Sequence, residues 1–211
     1  MSLEVFTIYL FVAFFYIISP GPAIFLAINN GLTKDIKTVA ISSFGNILGL
    51  FILSSVSISG LGAILTTSAT LFMIIKIIGA FYLLYLGVKQ FRSIGSIKLD
   101  DNNTHQHNKR SSKVFFYEGF FLAVTNPKPI IFFIALFPQF LNIEYAILPQ
   151  FFILTGTFMF ISFFSLLTYG FLSKNAKRYF NDKDKMAWFH RVTGGLFIIM
   201  GLGLLQLKRV E

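Results

Sequence analysis

Two proline pairs interrupt long apolar stretches of this chain, at Ser19-Pro20-Gly21-Pro22 and at Asn126-Pro127-Lys128-Pro129, 107 residues apart. Proline locks φ and has no N–H, so a helix interior normally rejects it. The residues preceding each proline (Ser19, Gly21, Asn126 and Lys128) are also pushed out of the α region. Each motif is therefore expected to open a short non-helical stretch. It would free the carbonyls of Tyr16 and Ile18 in one half, and of Ala123 and Thr125 in the other. Unpaired backbone at membrane depth survives only where protein or a watery cavity satisfies it. A helix restarting after the break aims free N–H groups and a positive dipole end into that cavity. A carboxylate would bind there, and the freed carbonyls would accept an ammonium. A proline kink that only aids packing is the simpler reading of either motif alone.

The environment follows from composition. Of 211 residues, 55% are hydrophobic and 13% charged, with 28 Phe. A soluble domain carries about 25% charged residues and few apolar runs near ~20 residues, so the chain reads as an integral membrane protein. Spans are expected near 3–28, 38–61, 71–89, 114–141, 146–172 and 188–207. The first 18 residues lack a basic leader and carry Glu4 alone as a charge. They read as the first membrane helix and not as a cleaved signal. Cysteine is absent, which excludes disulfides, thiolate metal sites and thiol relays.

The net charge of +9 would point to nucleic acid in a soluble chain, but here the basic residues sit in short connectors. Lys34 and Lys37 lie in the first connector, and Arg92, Lys98, Lys109, Arg110 and Lys113 in the third. Lys174, Lys177, Arg178, Lys183, Lys185 and Arg191 lie in the fifth, while the second and fourth carry none. That asymmetry places the odd connectors in the cytoplasm and both termini outside, with Lys208 and Arg209 opposing weakly. Three spans per half require the halves to be inverted. A 107-residue shift also aligns Phe25 with Phe132, Gly49 with Gly156 and Gly87 with Gly194. The expected fold is all-α: six transmembrane helices in two inverted three-helix repeats, 1–91 and 114–211, joined by a cytoplasmic linker at 92–113. Together they form one membrane domain. The first and fourth helices are broken at the Pro-x-Pro motifs.

Ionisable residues at membrane depth are costly and therefore candidates for function. Lys128 lies inside a break and would face a substrate carboxylate. Lys76 would act in coupling or electrostatics, or snorkel outward. Glu118 would carry a proton, or simply be solvated near Lys113. Asn46, between Gly45 and Gly49, would line the cavity or bond a neighbouring helix, and the glycines would permit close helix contact. His105 and His107 share a polar linker with Asp100 and Asp101 but form no convincing metal set. No phosphate-binding loop and no Ser/His/Asp set is present, so neither an ATP-driven pump nor an enzyme is indicated. No cofactor is implied.

Ser19-Pro20-Gly21-Pro22, the stretch from Lys76 through Gly79 to Gly87, and Gly119-Phe120 with Asn126-Pro127-Lys128 together resemble the LysE/RhtB-type amino-acid exporter family. Phe132-Phe133, Phe137-Pro138-Gln139-Phe140, Arg191, Gly194 and Gly201 extend the resemblance along almost the whole chain. It implies a small bacterial inner-membrane exporter of amino acids or close derivatives, driven by the proton gradient. Substrate binding would fall to Ser19, Pro20, Gly21, Pro22, Asn46, Asn126, Pro127 and Lys128. The partners would be a small amino-acid substrate and membrane lipid, with a homo-oligomer left open. Two positions depart from the family pattern: Ala23 where Asp or Asn is usual, and Pro129 where a small residue is usual. The rival readings are a channel, a non-transporting membrane partner, or an electron-relay subunit, the last opposed by the absence of Cys.

Overall fold

The computed structural model describes residues 1–67, 69–92, 111–142, 144–173, 175 and 182–206. The linker at 93–110, with its two histidines, lies outside these, as does the side chain of Lys76. Among the described residues the chain is helical throughout, with no strand. Helix α1 spans Leu3–Ile18, α2 Pro22–Thr33, α3 Ile36–Thr67 and α4 Ala69–Arg92. After the linker come α5 at Ser112–Thr125 and the short α6 at Pro127–Ile131. A π-helical turn at Phe132–Leu136 and a 3-10 turn at Phe137–Phe140 continue α6, followed by α7 at Ile147–Phe171 and α8 at Lys183–Gln206.

The helices stop and restart where backbone chemistry demands it. Pro22 occupies the first turn of α2, where a missing N–H costs nothing. Pro127 does the same for α6. Ser19, Pro20 and Gly21 separate α1 from α2, whereas Asn126 alone separates α5 from α6. The second break is therefore narrower than four motif residues would suggest, because Pro129 falls within a helical turn that Asn126 caps. The chain bends by 54° between α1 and α2, and by 46° between α5 and the segment 127–140. At 1.5 Å per residue, α1 and α2 are about 24 and 18 Å long, so each falls short of a ~30 Å bilayer core. By length and composition α3 and α7 can each cross a membrane, and the two bent pairs raise the count to four. Helices α4 and α8 have 24 residues each but fall outside that count among the described residues.

Apolar side chains face outward on every long helix. Phe44 and Val56 on α3, Phe81 on α4, Phe121 on α5, Phe152 and Phe160 on α7 and Ile199 on α8 are all exposed. Such a surface fits lipid rather than water. Inside, packing relies on small residues. A Cβ at Gly45 would run into the Phe116 carbonyl, and one at Gly119 into the Ser42 carbonyl, so α3 and α5 cross with their backbones nearly touching. Gly49 extends this seam, where a Cβ would lie 2.8 Å from the Phe120 oxygen. Helices α4 and α8 pair in the same way, with Gly87 set against the Gly194 carbonyl.

Two apolar clusters lie on either side of the breaks. The larger has sixteen buried residues, among them Tyr9, Phe132, Phe133, Phe137, Phe140 and Phe197. The smaller has five: Ile24, Ala27, Ile28, Val39 and Leu166.

Candidate functional site

The two breaks meet. Lys128, from the first turn of α6, reaches across to the end of α1. Its Nζ donates to the Ser19 carbonyl and to Ser19 Oγ, both at 2.7 Å. It also stands 5.0 Å from the centroid of the Tyr16 ring, a cation–π distance. In return the Tyr16 hydroxyl donates to the Lys128 carbonyl. Tyr16 and Ser19 from one break and Lys128 from the other thus form one closed hydrogen-bonded unit.

The proline-freed carbonyls of the first half are already satisfied. Ser19 Oγ donates to the Tyr16 carbonyl at 3.0 Å, and the Tyr169 hydroxyl of α7 donates to the Ile18 carbonyl at 3.0 Å. They are not open to an incoming ammonium, contrary to expectation, because the protein closes them with its own hydroxyls. The two helix N-termini differ as well. Asn126 Oδ1 accepts the Lys128 N–H at 3.0 Å and caps α6. Gly21 precedes α2 with no side-chain cap, and the Ala23 and Ile24 N–H groups carry no hydrogen bond within the described residues. Only α2 presents open donors and an uncompensated positive dipole end.

These groups surround a cavity of about 50 Å³. Ser19, Gly21, Asn46, Asn126 and Lys128 line it, as five of the eight expected binding residues. Pro20, Pro22 and Pro127 do not; they shape the breaks from outside the cavity. Glu118 of α5 is likewise absent from the lining and has its own interaction elsewhere. Asn46 is 4% exposed, and its amide has no partner within the described residues. A buried amide costs free energy unless a ligand or water satisfies it, and this one opens on the cavity.

Sequence reasoning missed Tyr16, Ser162 and Ser165 in the lining. The signal for Tyr16 was its place four residues before Pro20, where the helix opens. Ser162 and Ser165 are three apart on α7 and therefore share one face. Ile24, Leu50, Phe158 and Leu166 supply the apolar part of the wall. No lining residue is acidic. One fixed cation, a free helix N-terminus, neutral hydroxyls and amides, and an apolar wall together suit a small molecule bearing a carboxylate.

Comparison with known proteins agrees in kind. The LysE type translocator family matches residues 14–208. A membrane protein of Vibrio cholerae is 31% identical over 209 residues, covering 97% of each chain. A leucine efflux protein of Enterobacter sp. is 29% identical over 192 residues, covering 90% of this chain and 88% of its own. A homoserine/homoserine lactone efflux protein of Salmonella typhi is 29% identical over 201 residues, covering 95% and 96%. No solved structure matches. The chain belongs to the LysE family of translocators, and is a multi-pass membrane protein, not an enzyme.

Proposed function

We propose that this protein is a secondary transporter that carries an amino acid or a close derivative out of the cytoplasm, across the bacterial inner membrane. The observation that carries this reading is the meeting of the two broken helices at Lys128 and Ser19, beside the uncapped start of α2. A carboxylate placed in the cavity takes the third N–H of Lys128 and the open Ala23 and Ile24 N–H groups. The Asn46 amide and the Ser162 and Ser165 hydroxyls serve the polar remainder, and the apolar wall takes the side chain. The absence of an acidic lining residue favours a neutral side chain over a basic one. Two relatives whose names specify leucine efflux and homoserine efflux support the choice of cargo.

The packing supports an inverted repeat in which the elements 1–33, α3 and α4 correspond to 112–140, α7 and α8. Under that exchange the α3–α5 contact becomes the contact of α7 with the first broken helix. Both occur, and α4 packs on α8 as its own counterpart. The aligned glycines Gly87 and Gly194 touch at the centre of this last pair. Alternating access then comes from rocking one half against the other around the cavity. Charge asymmetry sets both termini outside, and the resemblance to proton-driven exporters supports proton coupling.

The test is export itself. Cells expressing the protein and fed leucine- or homoserine-containing dipeptides should hold less of the free amino acid inside, and release it faster, than cells without it. Lys128→Ala should abolish that release while leaving membrane insertion intact. Normal release from that variant would remove Lys128 from the site.

A further inference from the structure

The cavity is sealed unequally on its two sides. Toward the start of α1 stands the sixteen-residue aromatic cluster, with Tyr9 bonded to the Leu154 carbonyl at 2.8 Å and ring contacts such as Phe132–Phe158 at 4.6 Å. Toward the α2–α3 connector stand, among the described residues, the five buried residues of the smaller cluster, with Phe25, Leu32, Leu167 and Tyr169 partly buried against them. That thinner side also holds polar groups with unmet demands. A second cavity, about 10 Å³, shares Ala23, Asn46 and Leu166 with the first and continues to Ser42 and Ser43. Such a volume holds about one water. Ser43 is 1% exposed and its Oγ has no partner among the described residues. Beyond it, Asn30 of α2 donates to Ser42 Oγ of α3 at 3.1 Å, and both are buried.

Helix α2 is the wall of this side, packed more on α7 than on α3. Its upper end hangs from the three-residue break at Ser19–Gly21. Its lower end rests on the close contact of Gly31 with the Gly170 carbonyl of α7. The Asn30–Ser42 bond is the one side-chain hydrogen bond between α2 and α3 among the described residues. Opening between α2 and α3 breaks that one bond. On the aromatic side, opening would have to unstack the cluster and break the Tyr9 bond as well.

We propose that cargo reaches the central cavity from the cytoplasmic face between α2 and α3, passing Asn30, Ser42 and Ser43 to Asn46, with α2 swinging about the Ser19–Gly21 break as the gate. The water-sized cavity at Ser43 is the closed form of that route. This rests on the transport reading above and on the orientation that puts Lys34 and Lys37 in the cytoplasm.

The natural absence of cysteine allows a direct test with single-cysteine variants. Ser43→Cys should react with a membrane-impermeant thiosulfonate in inverted vesicles and not in right-side-out ones. Phe137→Cys, within the aromatic seal, should stay unreactive from the cytoplasmic face until the membrane is dissolved in detergent. Reaction of Ser43→Cys from the outer face, or no reaction from the cytoplasmic face when detergent-unfolded protein reacts fully, would overturn the route. Independently, Ser43→Leu should slow dipeptide-derived leucine or homoserine release about tenfold or more by adding bulk to the constriction. Ser43→Ala, which removes the hydroxyl but keeps the opening, should release at close to the parental rate. Equal loss from both variants would mark a structural role and overturn the route. If the unmodified protein releases neither amino acid, the transport reading fails, while the labelling result still decides the route.

Discussion

Lys128 joins the halves of this protein through an ordinary side chain placed where the backbone cannot remain helical. Its ammonium has three donors, and Ser19 takes two. In the proposed function the third meets a cargo carboxylate, and no acidic residue lines the cavity to compete for it. Lys128→Met keeps the volume and removes the charge. It should weaken cargo binding by about 2 kcal/mol, roughly thirtyfold, measured by titration of purified protein. The backbone at Gly21 is extended, with φ −167°, so a side chain there brings no strain. A Cβ would stand 3.5 Å from Lys128 Cδ, an ordinary contact. Gly21→Ala should thus fold like the parent and lose affinity only through the volume it takes from the cavity, a split between melting temperature and cargo binding. At the surface, the Thr38 side chain and then its N–H hold Asp35 by hydrogen bonds, lowering its pKa below the ordinary 3.8. Because the folded value is the lower one, the cap's contribution is complete above about pH 3.8 and fades as pH falls through the folded pKa. Melting temperatures of Asp35→Ala and the parent should differ by a constant amount from neutral pH down to that point and converge below it.

Among the elements, the decisive contacts are those in which glycine lets backbones meet. Gly119 lies against the Ser42 carbonyl, whereas Gly156, on α7, has nothing within 4 Å of where its Cβ would be. Gly119→Val should destabilise the fold by about 3 kcal/mol or more through overpacking, and Gly156→Val should leave it within about 0.5 kcal/mol. Unfolding in mixed micelles by denaturing detergent would separate the two. The glycine pair around Asn46 could be read beforehand as a close helix contact, and Gly45 and Gly49 are one. Asn46 itself had two readings, because periodicity does not say whether a residue one turn from a packed seam meets a neighbour or a cavity. The π-helical turn at Phe132–Leu136 had no signal at all. A run of apolar residues looks alike in α and π geometry, and the turn is held by a distant group, the Ser57 hydroxyl bonded to the Phe133 carbonyl.

At the scale of the whole molecule, the proposed inverted arrangement predicts sidedness. A cysteine at Glu144, exposed in the fourth connector, should label from outside, and one at Ser111, exposed before α5, only after permeabilisation. The reverse would overturn the proposed orientation. Membrane residence, the places where helices break, the family and the central lysine were all legible in the chain. Each follows from local covalent facts: proline has no N–H, lipid cannot replace it, and a charge at depth is costly. Ser19 meeting the Tyr16 carbonyl three residues back is local, but the partner of the Ile18 carbonyl was not legible, because Tyr169 reaches it only through folding. The difference between the two helix starts is local, since Asn126 turns its side chain onto the Lys128 N–H while Gly21 has none to turn. Sequence alone determined that two broken helices exist. Tertiary structure decided that they meet at one lysine and that a cluster of aromatics closes the cavity toward the start of α1, since distance and packing across the bundle arise only once the helices are assembled.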